Sequence, residues 1–169
     1  MYKIGVAITS VLVVAALLWF ASPVVDTAIS ANNQGLDYNN KGEYEKAIVA
    51  FTKAIELDPE LALAYNNRGW AYIELRQYEK GIADCTRAIE LDPELALAYN
   101  NRGWAHIELR QYEKGIADCT RAIELDPELA LAYNNRGRAY IELGQYEKGI
   151  ADFAKAIELD PELWTPMKK

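Results

Sequence analysis

The sequence is poor in the residues that carry catalysis or bind metals, with one histidine and two cysteines among 169 residues. Cys85 and Cys119 lie 34 residues apart and form neither a Cys-x-x-Cys nor a Cys/His ligand spacing, so we expect two core residues rather than a zinc or redox site. The sequence contains no glycine-rich phosphate loop, no Gly-x-Ser-x-Gly motif and no nucleophile with a paired base. We therefore expect a protein that is not an enzyme and that uses no metal or cofactor.

Clustered positive charge is lacking as well. The chain has 18 Lys and Arg residues against 25 Asp and Glu residues, which gives a net charge of −7. Binding to a phosphate backbone needs clustered lysine and arginine, so we expect no nucleic-acid partner. Hydrophobic residues make up 51% of the chain and charged residues 25%, which favours a folded protein over a disordered one.

One long uncharged run stands at the N-terminus. Residues 4–25 carry no charge and are rich in Val, Leu and Ile. About 20 such residues in a helix span a bilayer core. We expect segment 1–25 to be an uncleaved transmembrane anchor, so that residues 4–25 contact the membrane. The alternative is a cleaved signal segment and a secreted soluble protein, which Pro23 disfavours because it follows Ala21-Ser22, the small residues closest to the run.

The charges that flank this run predict an orientation. Lys3 precedes it and Asp26 follows it. Because positive charge tends to stay on the cytoplasmic side, the N-terminus is expected in the cytoplasm. The rest of this single-pass protein is then expected on the extracytoplasmic side of the membrane.

A short phrase, Leu-Asp-Pro-Glu, recurs through the rest of the chain with a fixed period of 34 residues. Such a period indicates an array of one small unit rather than one globular core, and arrays present a long continuous surface that usually binds a partner. The prolines of the phrase are Pro59, Pro93, Pro127 and Pro161. They define the units 28–61, 62–95, 96–129 and 130–163, followed by a short tail, 164–169.

Each unit is predicted to form two helices. In the second unit, the first helix is expected from Pro59 to Leu75, with the Asp58 carboxylate as its cap and the proline in its first turn. The second helix is expected from Tyr78 to Leu91, after a turn at Arg76-Gln77. Apolar residues at helical spacing support both assignments.

Glycines and charges predict how the two helices pack. Gly69 on the first helix and Gly81 on the second lack side chains, so the two helices can approach closely there. Lys80, Asp84 and Arg87 follow an i, i+4, i+7 spacing and are expected to form a solvated charge ladder on the outer face.

The whole pattern resembles the tetratricopeptide repeat family over residues 28–163. It departs from the family at Arg68, Arg102 and Arg136, where leucine is preferred, and an arginine there needs a carboxylate or carbonyl partner. The resemblance implies an all-α, right-handed superhelical solenoid of helix-turn-helix repeats, here preceded by one transmembrane helix. The residues of one unit that carry it are Tyr65, Gly69, Tyr72, Gly81, Cys85, Ala88 and Pro93.

The resemblance also implies where a partner binds, because the first helices of such repeats line a concave groove. Asparagines in this face commonly hold the backbone of an extended peptide, since an amide offers both donors and an acceptor. Trp70 and Trp104 are the sharpest signal, because tryptophan is enriched at binding hot spots; the alternative is that they pack as core. The expected groove residues are Asn33, Leu63, Asn67, Trp70, Glu74, Leu97, Asn101, Trp104, Glu108, Asn135, Arg138 and Glu142.

These observations predict a non-catalytic, membrane-anchored scaffold that binds a protein or peptide in its groove. We expect the partner to be a membrane or envelope protein. A clamp for acidic C-terminal tails would need several Lys or Arg residues in the groove, and only Arg138 is suitably placed. His106 stands where two other units have a packing tyrosine, so it is not expected to be catalytic.

The C-terminal end predicts an alternative function, self-association as a structural module. Only residues 164–169 follow the fourth unit, and six residues are too few for a stable covering helix. Ile150, Phe153 and Ile157 should therefore be partly exposed, with Trp164 covering some of them. Because end units normally need a polar outer face, this end is expected to pair with a second copy or with the partner.

Overall fold

The computed structural model describes residues 27–164 as a row of eight α-helices followed by one 3-10 turn. Within this range no helix is long and apolar enough to cross a membrane. The predicted anchor at 1–25 lies outside the described residues. The elements are α1 (residues 27–40), α2 (Tyr44–Leu57), α3 (Ala62–Glu74), α4 (Tyr78–Leu91), α5 (Ala96–Glu108), α6 (Tyr112–Leu125), α7 (Ala130–Glu142), α8 (Tyr146–Leu159) and the 3-10 turn Pro161–Trp164.

The helices stack in chain order as successive hairpins, which confirms the expected all-α solenoid. Helices α3 and α4, α5 and α6, and α7 and α8 form the most extensive contacts, and α4 also packs on α5 and α6 on α7. In addition α3 contacts α5, and α5 contacts α7, although each pair is separated by a whole helix in the sequence. The first helices of successive repeats therefore lie side by side and form one continuous face.

Close packing within each hairpin depends on the predicted glycines. A Cβ atom at Gly69 would lie 2.9 Å from Cys85 Sγ and 3.1 Å from the carbonyl oxygen of Gly81. One at Gly81 would lie 2.5 Å from Ile73 Cγ1. Real Cβ atoms essentially never come within 3.0 Å of another atom, so the two glycines allow the close approach of the helices that was expected.

The first helix of each repeat begins later than predicted. In the second repeat it begins at Ala62, three residues after Pro59, and its N-cap residue Leu61 makes no side-chain capping bond. Asp58 Oδ1 instead accepts a hydrogen bond from the backbone N–H of Glu60 at 3.0 Å, and Leu61 N–H donates to the Asp58 carbonyl at 3.2 Å. The aspartate thus stabilises a turn that precedes the helix, and the prediction that it caps the helix is wrong. The predicted bounds of the second helix, Tyr78 and Leu91, are correct.

The predicted charge ladder is also wrong at Asp84, which is only 8% exposed. Its carboxylate accepts two hydrogen bonds from the Arg68 guanidinium, at 2.7 and 2.8 Å, and so is the partner that this arginine requires. Arg68 Nη1 also donates to Thr52 Oγ1 on α2 at 3.1 Å. One arginine on α3 therefore connects the helix before it to the helix after it. The arrangement recurs with Arg102, Asp118 and Thr86, and with Arg136, Asp152 and Thr120.

Candidate functional site

A cavity of about 370 Å³ opens on the continuous face formed by α3, α5 and α7, and we call it the groove cavity. Six of the predicted groove residues line it, together with Asn100 and Leu131. These six residues, selected from the sequence alone, therefore lie together in space. Leu63 and Leu97 lie exposed on the same helices, at 47% and 43%, and Asn33 lies exposed on α1. The lining residues are Trp70, Glu74, Asn100, Asn101, Trp104, Leu131, Asn135 and Arg138.

The two tryptophans are half-buried and are held firmly by the fold. Trp70 makes an edge-to-face contact with Tyr44, with ring centroids 5.7 Å apart and an angle of 80° between the planes. Trp104 packs against a cluster that contains Ile73, and its indole Nε1–H donates to Glu108 Oε1 at 3.2 Å. Each tryptophan therefore combines a packed part with a part that borders the groove cavity, which is the arrangement of a rigid aromatic anchor.

Glu108 lies at the centre of a hydrogen-bond network. Besides Trp104, Arg138 Nη2 donates to its Oε1 at 2.8 Å, and the Tyr78 hydroxyl lies 3.5 Å from its Oε2. Desolvation raises the pKa of Glu108, but the hydrogen bonds and charge of Arg138, with Trp104 and Tyr78, outweigh it and hold this pKa below the usual value. Glu108 is therefore an anion whose countercharge the chain itself supplies.

A second cavity, of about 250 Å³, adjoins this network. It is lined by Ile107, Glu108, Arg110, Tyr112, Arg138 and Glu142. The Tyr112 hydroxyl donates to Glu142 Oε2 at 3.2 Å. The two remaining predicted glutamates thus border this second cavity rather than the groove cavity.

The tyrosines that begin the second helices are site residues that the sequence analysis missed. Tyr44, Tyr78 and Tyr112 each reach a glutamate of the following first helix. For Tyr44 the glutamate is Glu74, and desolvation together with this carboxylate raises the pKa of the phenol. The tyrosines and the glutamates each recur every 34 residues in the sequence. No feature of the sequence showed that each tyrosine contacts the glutamate 30 residues later, in the next repeat.

The asparagines bind each other, which changes what they can offer a partner. Asn67, Asn101 and Asn135 each donate from Nδ2 to Oδ1 of an asparagine one repeat earlier, at 3.0 Å in every case. Asn101 is only 8% exposed. One N–H of each of these three predicted groove asparagines is therefore used inside the protein. The acceptors are Asn32, Asn66 and Asn100, and Asn66 and Asn100 in turn donate to Asn67 and Asn101.

Reactive groups in the described part of the chain are placed as structural residues. Cys85 and Cys119 are free and buried, and desolvation raises the pKa of both thiols, that of Cys119 to about 12, so the reactive thiolate is disfavoured. His106 Nδ1 lies 2.9 Å from Gln111 Oε1, and burial lowers the pKa of its imidazole. Residues 27–164 contain no group of three or more His, Cys, Asp or Glu side chains able to hold a metal ion.

Comparisons with protein families find repeat motifs along most of the array. Models described as tetratricopeptide repeat match residues 62–95, 85–117 and 102–165, and a TPR repeat model matches residues 35–75. Among curated proteins, none matches this chain.

Solved structures with the same fold are similar in sequence to this chain, with identities of 25% to 32% in the three described here. The second TPR domain of the human RPAP3 protein, in complex with the HSP70 peptide SGPTIEEVD, is 32% identical; the match covers 67% of this chain and 94% of that one, with a TM-score of 0.63. The first TPR of Spaghetti (RPAP3), bound to the HSP90 peptide SRMEEVD, is 29% identical over 70% of this chain and 94% of that one, with a TM-score of 0.67. MamA from Desulfovibrio magneticus RS-1 is 25% identical over 82% and 78%, with a TM-score of 0.69.

Proposed function

The chain belongs to the tetratricopeptide repeat family, and from this premise we propose that it is a non-catalytic scaffold that binds an extended peptide segment of a partner protein in the groove cavity. The observation that carries the proposal is the convergence of Trp70 and Trp104 on one cavity between three first helices. Two related repeat domains were solved with peptides bound, which supports the same use of the fold here.

Selection from a random peptide display library against the full-length chain in detergent micelles tests the proposal. Enriched peptides should lose affinity by about 2 kcal/mol or more, roughly 30-fold, for the double variant Trp70→Ala/Trp104→Ala, which is the scale of hot-spot truncation. The variant Val49→Ala is the matched control, because Val49 is apolar, 71% exposed and outside the cavity. If the unfolding free energy falls by about 3–5 kcal/mol per tryptophan, as for buried large side chains, the tryptophans are core and the site assignment is wrong.

We propose further that residues 4–25 anchor the scaffold in a membrane as a single span, with the repeats on the extracytoplasmic side. The uncharged 22-residue run supports the anchor, and Lys3 before it supports the orientation. A partner held in the same membrane or envelope would meet the groove at high local concentration. The full-length protein should resist extraction by carbonate and keep its N-terminal segment in an intact-mass measurement. A shortened chain found only in the soluble fraction would show the alternative, a secreted binder.

A second candidate function is self-association through the α8 end of the array. The observation that favours it is the exposure of Tyr146 and Ile150, at 59% and 63%, whereas the equivalent residues of earlier repeats pack against the next repeat. We propose a second copy of this chain as the occupant.

A further inference from the structure

We propose that the groove cavity selects a basic side chain, lysine or arginine, carried by the partner segment next to apolar residues. The inference rests on the proposed function and names the chemistry of the same site. Three features of the cavity support it: an unpaired carboxylate, two tryptophans beside it, and a repeat of the same site in which the chain supplies its own cation.

The carboxylate is Glu74. It lies half-buried in the groove cavity and interacts with the Tyr44 hydroxyl. Among residues 27–164, no lysine, arginine or histidine forms an ion pair with it, whereas Glu108 is paired with Arg138 at 2.8 Å. A half-buried carboxylate with only a neutral hydrogen-bond partner is a favourable counterion for a cation that enters the cavity.

The next repeat shows that a guanidinium can pair with the equivalent glutamate, Glu108. Arg138 follows Glu108 by 30 residues, and the residue that follows Glu74 by 30 is Trp104. The two pairs occupy equivalent places in successive repeats. A guanidinium from the partner would therefore donate hydrogen bonds to the Glu74 carboxylate, as Arg138 donates to Glu108. Trp104 is the residue that corresponds to Arg138 one repeat earlier.

The rest of the cavity fits the remainder of a basic side chain. Tryptophan is the best of the aromatic side chains for attracting a cation over its ring. The aliphatic stem of a lysine or arginine side chain packs along apolar surface while its charged end contacts a polar group, here the Glu74 carboxylate. Leu131 and the indoles of Trp70 and Trp104 provide the apolar surface. The same features disfavour the acidic peptides bound by the RPAP3 domains, because a partner carboxylate would meet Glu74. Among residues 27–164, the cation that lines the groove cavity is Arg138, and it is already paired with Glu108.

The library selection described above tests the inference if its enriched pool is sequenced. We expect lysine or arginine flanked by apolar residues to be enriched over the starting library. One enriched peptide is then synthesised with its basic residue as arginine and as neutral citrulline. The citrulline peptide should bind about tenfold more weakly, and Glu74→Gln should weaken binding of the arginine peptide by the same factor.

Because the two changes remove one interaction, they should not add. The Glu74→Gln variant should bind the arginine and citrulline peptides almost equally, as a double-mutant cycle requires of direct partners. Glu90→Gln is the matched control, because Glu90 is an exposed glutamate on α4 that pairs with Arg87 and lies away from the cavity. It should change binding by less than about twofold.

A gain-of-function variant tests the argument from repetition. Arg138→Trp gives the fourth repeat the tryptophan found in the two repeats before it and removes the countercharge of Glu108. Arg138 is 45% exposed, so the array should tolerate the change. The pool selected on this variant should contain peptides with a second basic residue.

The two proposals fail in different ways. If no peptide is enriched, or if enriched peptides bind the double tryptophan variant as well as the parent, the proposed function is wrong. If binding depends on the tryptophans but enriched peptides lack basic residues, or if Glu74→Gln leaves the arginine peptide unaffected, the groove binds peptides and the inference of a basic side chain is overturned.

Discussion

At the scale of single residues, the turn inside each hairpin needs one residue with a positive φ. Gly42 and Gly144 supply it at φ 72° and 73°, but Arg76 and Arg110 hold the same place at 58° and 59°. The conformation is required because it lets Gln77 N–H reach the Tyr72 carbonyl at 2.8 Å and so closes the helix end. A left-handed conformation costs a residue with a side chain about 1–2 kcal/mol.

Replacing Arg76 by glycine should therefore stabilise the array. We expect a gain of about 0.5–1 kcal/mol in unfolding free energy, because relief of the left-handed strain exceeds the extra backbone freedom that glycine has in the unfolded chain. Urea denaturation measures it. The reverse change, Gly144→Arg, is the matched control and should lower the unfolding free energy by a similar amount. Equal midpoints for all three proteins would contradict the strain argument.

His106 makes the stability of the array depend on pH. Its side chain is 13% exposed, and burial lowers its pKa below the value in an unfolded chain. Gln111 and the carboxylate of Asp118, 3.9 Å away, act in the opposite direction, and the positive charges of Lys114 and Arg102 add to the lowering. Because the unfolded chain binds a proton more readily here, protonation favours unfolding.

The sign of the effect follows from linkage. Stability is fully retained above the unfolded pKa, about 6.5, and is lost as pH falls through the window between the two pKa values. Tyr72 and Tyr140 occupy the equivalent positions, so His106→Tyr is a natural control. Chemical denaturation at pH 7.5 and pH 5 should show a larger loss on acidification for the parent than for the variant. Equal losses would mean that His106 is not the group responsible.

At the scale of elements, the arginine–aspartate pairs join consecutive helices. The Arg68 side chain is 17% exposed and that of Asp84 is 11% exposed. Removing one partner of a buried pair leaves the other charge desolvated without compensation. Asp84→Asn should therefore lower the unfolding free energy by about 3 kcal/mol, as measured by urea denaturation.

The first repeat provides the control for this prediction. It has Gln34 where the later repeats have arginine, and Ala50 where they have aspartate, so both charges are absent together. The double variant Arg68→Gln/Asp84→Ala copies that neutral pair into the second repeat. It should recover most of the stability lost in Asp84→Asn, and a double variant less stable than the single one would refute the account.

Much of this element structure could be predicted from the sequence because the repeat multiplies each signal. The period of 34 predicted the number and order of helices, and the bounds predicted for the second helix of the second repeat, Tyr78 and Leu91, are those observed. Asp84 was misplaced because its spacing to Lys80 and Arg87 marks one helix face but does not show whether another helix covers that face. Contacts between repeats, such as Asn67 with Asn32, depend on how the helices stack, which no local pattern encodes.

At the scale of the whole molecule, the two ends of the array differ in polarity. On α1, Gln34 and Asp37 are exposed at positions equivalent to residues that pack against the preceding repeat. On α8, Tyr146 and Ile150 are exposed, with Ile157 at 38%, and the 3-10 turn Pro161–Trp164 contacts the same helix. Head-to-tail stacking of two copies would bring these apolar residues against Gln34 and Asp37, with Leu36, 37% exposed on α1, as an apolar neighbour. A two-fold arrangement that joins two α8 faces buries apolar surface against apolar surface and is the closed, symmetric form that dimers prefer.

One residue of the predicted association surface, Phe153, also packs inside its own hairpin. Phe153 is half-buried, and a Cβ atom at Gly137 would lie 3.1 Å from its ring. Its ring therefore packs between α7 and α8 at the place where Cys85 packs between α3 and α4. A lysine at this position would unfold the last repeat rather than test an interface. The surface that can be tested is therefore formed by Tyr146, Ile150 and Ile157.

The double variant Ile150→Lys/Ile157→Lys should abolish self-association. A two-fold contact would place the four introduced lysines close together, so charge repulsion adds to the loss of apolar burial. Sedimentation velocity of the full-length chain in density-matched micelles should show a dimer for the parent and a monomer for the variant, with unchanged thermal unfolding of the diluted proteins. Val49→Lys is the matched control, because Val49 is 71% exposed on α2 at the other end of the array, and it should remain dimeric. A parent that stays monomeric across a wide concentration range would show that this face does not join two copies.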